Sequence, residues 1–361
     1  MRHYSIAVYP GDGIGIDVVN EAVNVLRAAQ SVYGFSLELS EFDWGSRYWK
    51  TTGRVAPDDF LKTLAGFDAI FLGALGDPRN VPDHITLEPL IAMRQGFDQY
   101  ACLRPAKLLP NVPTPLNGKG PGDIDLVVVR ENSEGEYASA GGRMKAGTPG
   151  DIAIQTAIHT RRGVDRILRY AFDLALCRRK RLTMATKSNA LKFSMVMWDE
   201  ALDALAPRFP GVAVEKCHVD ALTMHLVRRP EAYDVIVGSN LFGDILSDLA
   251  GAISGSLGLA PSANLNPERK FPSLFEPVHG SAPDIAGKGI ANPLAAIRSA
   301  AMMLDFLGEK EAAAGIESAV TGNLRAGAIR TPDLGGAAST TAVGEDVVRR
   351  IRCSDGKDAA A

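Results

Sequence analysis

The strongest constraint on this chain is a recurring local pattern: short runs of consecutive apolar, often β-branched residues, ended by glycine or followed by an amphipathic stretch. Residues 6–9 (IAVY) form one such run. A glycine-rich turn at 10–15 (PGDGIG) follows, and then apolar residues at helical spacing over 17–29. Residues 67–72 (FDAIFL), ended by Gly73 and Gly76, repeat it, as do 125–129 (DLVVV) and 233–237 (YDVIV), the last leading to a helix from about Phe242. A strand open to water on one face alternates apolar and polar residues, so unbroken apolar runs imply strands covered on both faces. Such strands alternating with helices predict an α/β protein with largely parallel sheets. At 361 residues the chain exceeds what one core usually holds, which predicts two domains.

Two stretches interrupt the pattern. Residues 105–123 (PAKLLPNVPTPLNGKGPGD) are rich in proline and glycine and suit a long crossing loop or domain connection. Residues 135–160 mix glycines with an alternation at Ile152, Ile154, Thr156 and Ile158, which predicts an exposed β-arm of the kind that pairs between subunits. Residues 354–361 (SDGKDAAA) are expected to form a frayed tail.

Charge and cysteine usage exclude several classes. The formal net charge is −3 and the pI about 6.1, whereas nucleic-acid binding favours a basic surface. Cys102, Cys177, Cys217 and Cys353 show no CxxC pairing, which fits reduced thiols rather than a disulfide framework or a zinc site. The apolar start breaks at Pro10 and Gly11, too early for a secretory signal. No run approaches the ~18 apolar residues needed to span a bilayer. A cytoplasmic enzyme with neither a nucleic-acid nor a membrane partner is expected.

Several positions could carry chemistry. The 10–15 turn either braces the site or contacts a cofactor directly; its third glycine comes too early for the G-x-G-x-x-G fingerprint. Asp244 and Asp248, four apart on a helix, project from one face; they either share a hard divalent cation, with Asp220 a plausible third ligand, or complement the helix dipole. Arg94, Arg104 and Arg130 lie in apolar or structured contexts, and if they converge they define a dicarboxylate pocket. Arg130 closes a strand, the usual place for ligands in open α/β sheets. Tyr137 and Lys187 are ordinary residue types singly; as acid and base they need shifted pKa values, and a metal with arginines nearby would favour their deprotonated forms. Residues 275–297 are dense in Gly, Pro and small residues and read as a tight loop before a helix starting after Pro293. That loop is either purely structural or wraps an adenosine, with Asp284 accepting from ribose hydroxyls.

Taken together, these segments resemble the β-decarboxylating dehydrogenases, the isocitrate/isopropylmalate dehydrogenase family that includes the tartrate/D-malate enzymes. The likeness runs from PGDGIG at residue 10 to TPDLGG at 331, and its most specific blocks are SNLFGDILSDL (239–249) and FEPVHGSAPDIAGKGIANP (275–293). It implies a two-domain α/β fold that is not Rossmann, with mixed, largely parallel sheets and a β-arm at about 135–160. Residues 1–100 plus 259–361 would form the large cofactor-binding domain and 101–258 the small domain with the dimer interface. It further implies that Arg94, Arg104 and Arg130 clamp the substrate carboxylates and that Tyr137 and Lys187 are catalytic, with Asn189 beside them. Asp220, Asp244 and Asp248 would bind Mg2+ or Mn2+, and K+ is a further candidate cofactor. NAD would be held by His279, Gly280, Ser281, Ala282, Asp284, Ile285 and Asn292, because a carboxylate at 284 accepts from both ribose hydroxyls and repels a 2′-phosphate. Lys187 and Asp220 would come from the partner subunit of a homodimer.

VPDHIT (81–86), FDQY (97–100), VRENSEGEY (129–137), ATKSNAL (185–191) and TRRGVDRILRYAF (160–172) are most similar to members acting on tartrate or D-malate. The implied activity is therefore NAD-dependent oxidation and metal-assisted β-decarboxylation of a small 2-hydroxy diacid. Glu88-Pro89 departs from the Trp-Gly pair of many such members and keeps 3-isopropylmalate as the alternative substrate. A non-catalytic regulatory paralogue is a distant alternative.

Overall fold

In the computed structural model, which describes residues 2–353, the apolar runs become interior strands of one ten-stranded sheet. The expected tail at 354–361 lies outside the described residues. In chain order the strands are β1 (His3–Gly11), β2 (Ser36–Glu41), β3 (Ala69–Ala74), β4 (Ala101–Lys107), β5 (Asp125–Glu131), β6 (Gly141–Met144), β7 (Ile152–Gln155), β8 (Arg181–Thr186), β9 (Ala213–His218), β10 (Val235–Gly238), β11 (Pro261–Leu265) and β12 (Ser273–Pro277). The large sheet runs β2-β1-β3-β12-β11-β4-β5-β10-β8-β9, and β6 pairs only with β7.

Two parallel wings meet at an antiparallel centre. β2, β1, β3 and β12 are mutually parallel, as are β5, β10, β8 and β9. Between them β12, β11, β4 and β5 pair antiparallel. Strands from residues 1–100 and 259–353 build one side and strands from 101–258 the other. The two sides are joined through the β11–β4 ladder, Ala263 to Leu103, Asn264 to Cys102 and Leu265 to Ala101. Two of the expected strands begin later than their apolar runs. Asp68 is spent accepting from the Ser5 amide (2.7 Å), and buried Asp234 accepts from Arg178 Nε (2.8 Å) and the Arg179 amide (2.7 Å).

Helices cover both faces. Helix Arg161–Leu176 starts where Thr160 Oγ1 accepts from the Gly163 amide (3.0 Å). Its buried stripe of Val164, Ile167, Leu168, Ala171 and Phe172 recurs every three or four residues. Burying each of its larger side chains contributes roughly 1.5–3 kcal/mol, and Phe172 also stacks on Phe209 at 4.5 Å. Truncating Phe172 to alanine would cost about 3–5 kcal/mol. Helix Asn240–Ile253 lies across β4 and β5 on the other face.

The expected crossing loop starts later than its composition suggests, since β4 extends to Lys107. Its remainder is anchored by buried Leu108, Leu109 and Val112 and by a 2.6 Å bond from Thr114 Oγ1 to the Ile253 carbonyl. The arm is present: every residue of β6 and β7 is exposed, including Met144, Ile152 and Ile154. Among the described residues no helix is long and apolar enough to cross a membrane.

Candidate active site

Helix Asn240–Ile253 presents Asn240, Asp244, Ser247 and Asp248 toward the arginines of β4 and β5. The first turn holds no acidic residue, and the dipole effect fades beyond it, so helix-dipole complementation does not explain the two aspartates. They gather cations instead. Arg104 Nη1 donates to Asp244 Oδ1 (2.9 Å), Ser247 Oγ (2.8 Å) and Asp248 Oδ1 (3.2 Å). Arg130 donates from Nε (3.0 Å) and Nη2 (2.7 Å) to Asn240 Oδ1, and from Nη1 to Asp244. Tyr137 donates its hydroxyl to Asp244 Oδ2 at 2.9 Å.

Arg94 approaches from helix Glu88–Gly96 and is held by Glu276 of β12 at 3.2 Å, while Asn264 of β11 donates to the same oxygen at 2.8 Å. Arg94, Arg104, Arg130, Tyr137, Asp244, Asp248 and Glu276 thus line one cleft of about 410 Å³. The arginines do converge. The cleft lies at the C-terminal ends of β3, β12 and β5, whose Ala74, Pro277 and Arg130 line it, and extends over the antiparallel centre. Arg130 pairs across β5–β4 with Cys102, whose next neighbour on that face is Arg104.

Charge crowding shapes the titration of the cleft. Burial pushes Arg130 down to about 10, helped by the like charges of Arg94 and Arg104. Burial alone would raise Asp244, but the guanidinium groups of Arg130 and Arg104 outweigh it and hold the carboxyl below its usual range. Asp248 goes the other way, raised by its burial. Tyr137 is raised by burial and by the negative charge of Asp244. Within the chain itself the phenol's bonded neighbour is an anion, which favours the protonated form; the expected metal on Asp244 is what would oppose it.

Lys187, Asn189 and Asp220 lie apart from this cleft. Lys187, just past β8, donates to Asp220 Oδ1 at 2.8 Å, and that bond lowers the Asp220 carboxyl. Asp220 and Asn189 are exposed. Among the described residues no group of three potential metal ligands forms within one chain.

The 275–293 loop borders the same cleft through Pro277, Val278, His279 and Gly280. Burial holds the His279 imidazole below its usual value, and its Nε2 is buried without a partner among the described residues. Ser281 is buried, Ala282 and Ile285 are half-buried and Asp284 is exposed. Asn292 Oδ1 accepts from the Leu294 amide (3.0 Å) at the start of helix Leu294–Leu307, and its Nδ2 donates to Asp333 (3.0 Å). The 10–15 turn braces this loop. The Ile14 amide donates to the Ser281 carbonyl at 2.8 Å; Gly13, at φ 58°, approaches so closely that a Cβ would lie 2.0 Å from that oxygen. Asp12 ties the turn to its neighbours by accepting from the amides of Ser46 (2.7 Å) and Gly76 (2.9 Å).

Glu88 faces away from the cleft, toward a separate cavity of about 480 Å³ shared with Trp49 and Arg54. His84, Leu87, Leu90 and Ile91 of the same segment face the cleft instead. The resemblance implies that residues 82–94 (PDHITLEPLIAMR), which include these four, contact the substrate's C3 group, whereas sequence reasoning passed over Asn240, Ser247 and Glu276. Spacing could have found Asn240 and Ser247, which share the helix face of Asp244 and Asp248 at intervals of three and four.

A model of the isocitrate/isopropylmalate dehydrogenase family matches residues 5–347. The chain is 53% identical to a D-malate dehydrogenase (decarboxylating) of Escherichia coli strain K12, over 97% of this chain and 99% of that one. It is 54% identical to a probable tartrate dehydrogenase/decarboxylase of Agrobacterium vitis (98% and 99% covered). With a tartrate dehydrogenase/decarboxylase of Pseudomonas putida the identity is 52% (94% and 96% covered). Among solved structures, an isocitrate dehydrogenase from Methylococcus capsulatus superposes with a TM-score of 0.87 at 37% identity, covering 97% of this chain and 99% of that one.

Proposed function

The chain belongs to the isocitrate/isopropylmalate dehydrogenase family, and from that footing we propose that it oxidises a small 2-hydroxy diacid of the D-malate or tartrate type. NAD is the hydride acceptor, and the β-carboxylate is released as CO2. One observation carries the reading: guanidinium groups from three separate elements share a cleft with Tyr137, Asp244 and Asp248. Planar forks of this kind bind carboxylates bidentately, and a diacid presents two of them within a few bonds. Relatives whose names include D-malate and tartrate support the choice of diacid.

The all-oxygen donors Asp244 and Asp248 fit a hard divalent cation such as Mg2+ or Mn2+, with Asp220 of a second copy as third ligand. When bound, that cation supplies Lewis-acid polarisation of the substrate C2 oxygen. The remaining work belongs to the chain itself. Arg94, Arg104 and Arg130 hold the two carboxylates and fix the substrate against the cleft wall. Lys187, reaching in from a second copy of a homodimer, takes the C2 hydroxyl proton as hydride leaves C2 for the nicotinamide. Departure of CO2 then breaks the C3–C4 bond and leaves its electron pair in an enolate. Tyr137, whose phenol keeps its proton, delivers it to C3. The loop bearing His279, Gly280, Ser281, Ala282, Asp284, Ile285 and Asn292 is the NAD-holding segment, with Asp284 accepting from ribose hydroxyls.

A second reading has its own support. Leu87, Leu90 and Ile91 give the cleft an apolar wall able to receive a bulkier C3 substituent, as in 3-isopropylmalate. NADH formation with Mn2+ on D-malate, the tartrate isomers and 3-isopropylmalate at equal concentrations separates the two. Turnover on malate and tartrate with little on isopropylmalate supports the small-diacid reading, and the opposite preference overturns it.

A further inference from the structure

Glu136 stands one residue before Tyr137, in the irregular segment between β5 and β6. Its carboxylate accepts from Ser239 Oγ at 2.9 Å and from the Leu241 amide at 3.0 Å. Ser239 is the N-cap of helix Asn240–Ile253, a position where serine ordinarily accepts a bond from the first-turn amides with its own oxygen. Here it makes no such bond. It donates its hydroxyl to Glu136 instead, so a carboxylate distant in sequence caps the helix in its place. A second tie runs alongside. Asn240 Nδ2 donates to the Glu134 carbonyl (3.0 Å) while its Oδ1 receives Arg130. The far side of the segment is fastened to the base of the arm by the mutual backbone bonds of Gly135 and Ile158.

We propose that Glu136 is a positioning residue: by capping the helix that carries Asp244 from the segment that carries Tyr137, it sets the Tyr137–Asp244 distance and hence the aim of the phenol. The inference rests on the reading of Tyr137 as proton donor. A purely structural role is disfavoured by the serine. Without Glu136, Ser239 is free to turn and cap the helix itself, so the helix keeps its cap while the segment loses its tie nearest Tyr137 and is held to the helix only through Asn240 and the Glu134 carbonyl.

The test uses full-length protein labelled with tyrosine carrying 13C at Cζ, free of metal and substrate, with the Tyr137 resonance assigned from Y137F. E136A should shift that resonance. It should also lower kcat for D-malate by about tenfold to a hundredfold, a 1 Å misplacement of a reacting group being able to cost about 10²-fold, with KM for the diacid within twofold and the thermal midpoint little changed. E136Q, which keeps an acceptor oxygen for the Leu241 amide, should restore the resonance position and most of kcat. If E136A does not accumulate folded, S239A, which deletes one of the two bonds, is read by the same resonance. An unmoved resonance in the folded variant overturns the proposal, as does a kcat loss that tracks the thermal midpoint and is not rescued by E136Q. Should the parent protein turn over no diacid at all, the functional reading fails while the resonance still decides whether Glu136 positions Tyr137.

Discussion

Replacing Gly13 with alanine separates the two roles open to the 10–15 turn, and its cost can be worked from the structure. Gly13 sits at φ 58° and ψ −129°, outside the left-handed helical region and in one that few residues but glycine populate, where an added Cβ costs on the order of 1–3 kcal/mol. That Cβ would also lie 2.0 Å from the Ser281 carbonyl oxygen, more than ~1 Å inside ordinary carbon–oxygen contact. The obstacle is backbone, so the 281 loop must move, and the 2.8 Å bond from the Ile14 amide to Ser281 is lost with it. Losing that bond adds ~0.5–1.5 kcal/mol. Gly34→Ala is the control for a glycine with a positive φ and open surroundings. Gly34, at φ 74° and ψ 39° in the left-handed helical region, has nothing within 4 Å of the built Cβ, so only a conformational cost of roughly 1–2 kcal/mol applies. Urea midpoints should show Gly13→Ala less stable than Gly34→Ala by about 1 kcal/mol or more, the lost bond alone accounting for the lower figure. Steady-state kinetics should show a markedly raised KM for NAD in Gly13→Ala, a smaller change for the diacid, and parent-like values in Gly34→Ala. Equal stabilities with an unchanged KM for NAD would refute the bracing argument.

Tyr137→Phe should slow decarboxylation and enol protonation by ~10²–10⁴ while sparing hydride transfer more; following CO2 and NADH separately checks this, and equal loss in both would remove Tyr137 from that step. Asp248→Asn should raise the Mn2+ concentration for half-maximal rate by on the order of tenfold to a hundredfold, and an unchanged requirement would rule Asp248 out as a ligand. Asp346 is buried and, although burial opposes it, its bonds to Arg350, Asn323 and Arg349 hold its carboxyl below the usual range. Its folded pKa is thus below its unfolded one, so its contribution is present above the ordinary carboxylate value of ~4 and is lost as pH falls through the native value. Asp346→Asn should destabilise at pH 7 and flatten the acid-side loss of stability in urea melts, whereas a parent-like acid slope would show that the ion pairs contribute nothing.

How much could be read in advance depended on the range of each interaction. Runs such as DLVVV and the four-residue interval of Asp244 and Asp248 are local periodicities, and both appear as expected in β5 and helix Asn240–Ile253. The family resemblance brought the arginines forward, yet nothing local says that Arg94 meets Glu276 or that Arg130 meets Asn240, partners more than a hundred residues away. Glu136 was invisible for the same reason, since a capping serine at 239 looks self-sufficient in sequence. The bond from Tyr137 to Asp244 was not legible either, a matter of ångströms that spacing does not carry. β11 and β12 were not foreseen as strands; each is five residues long and borders proline, and their burial comes from neighbours elsewhere in the chain.

The strand order also bears on how the chain leaves the ribosome. β3 is buried along its whole length and takes β12 as its second neighbour. β12 is made about 200 residues later, which at ~5–20 residues per second leaves one edge of AIFLGA unpaired for roughly 10–40 s. An apolar strand with a bare edge is a template for pairing with other chains. Nascent protein is therefore most exposed to aggregation after β3 emerges and before β12 does. Slower translation of residues 75–272 would lengthen that interval without altering a single contact of the finished fold.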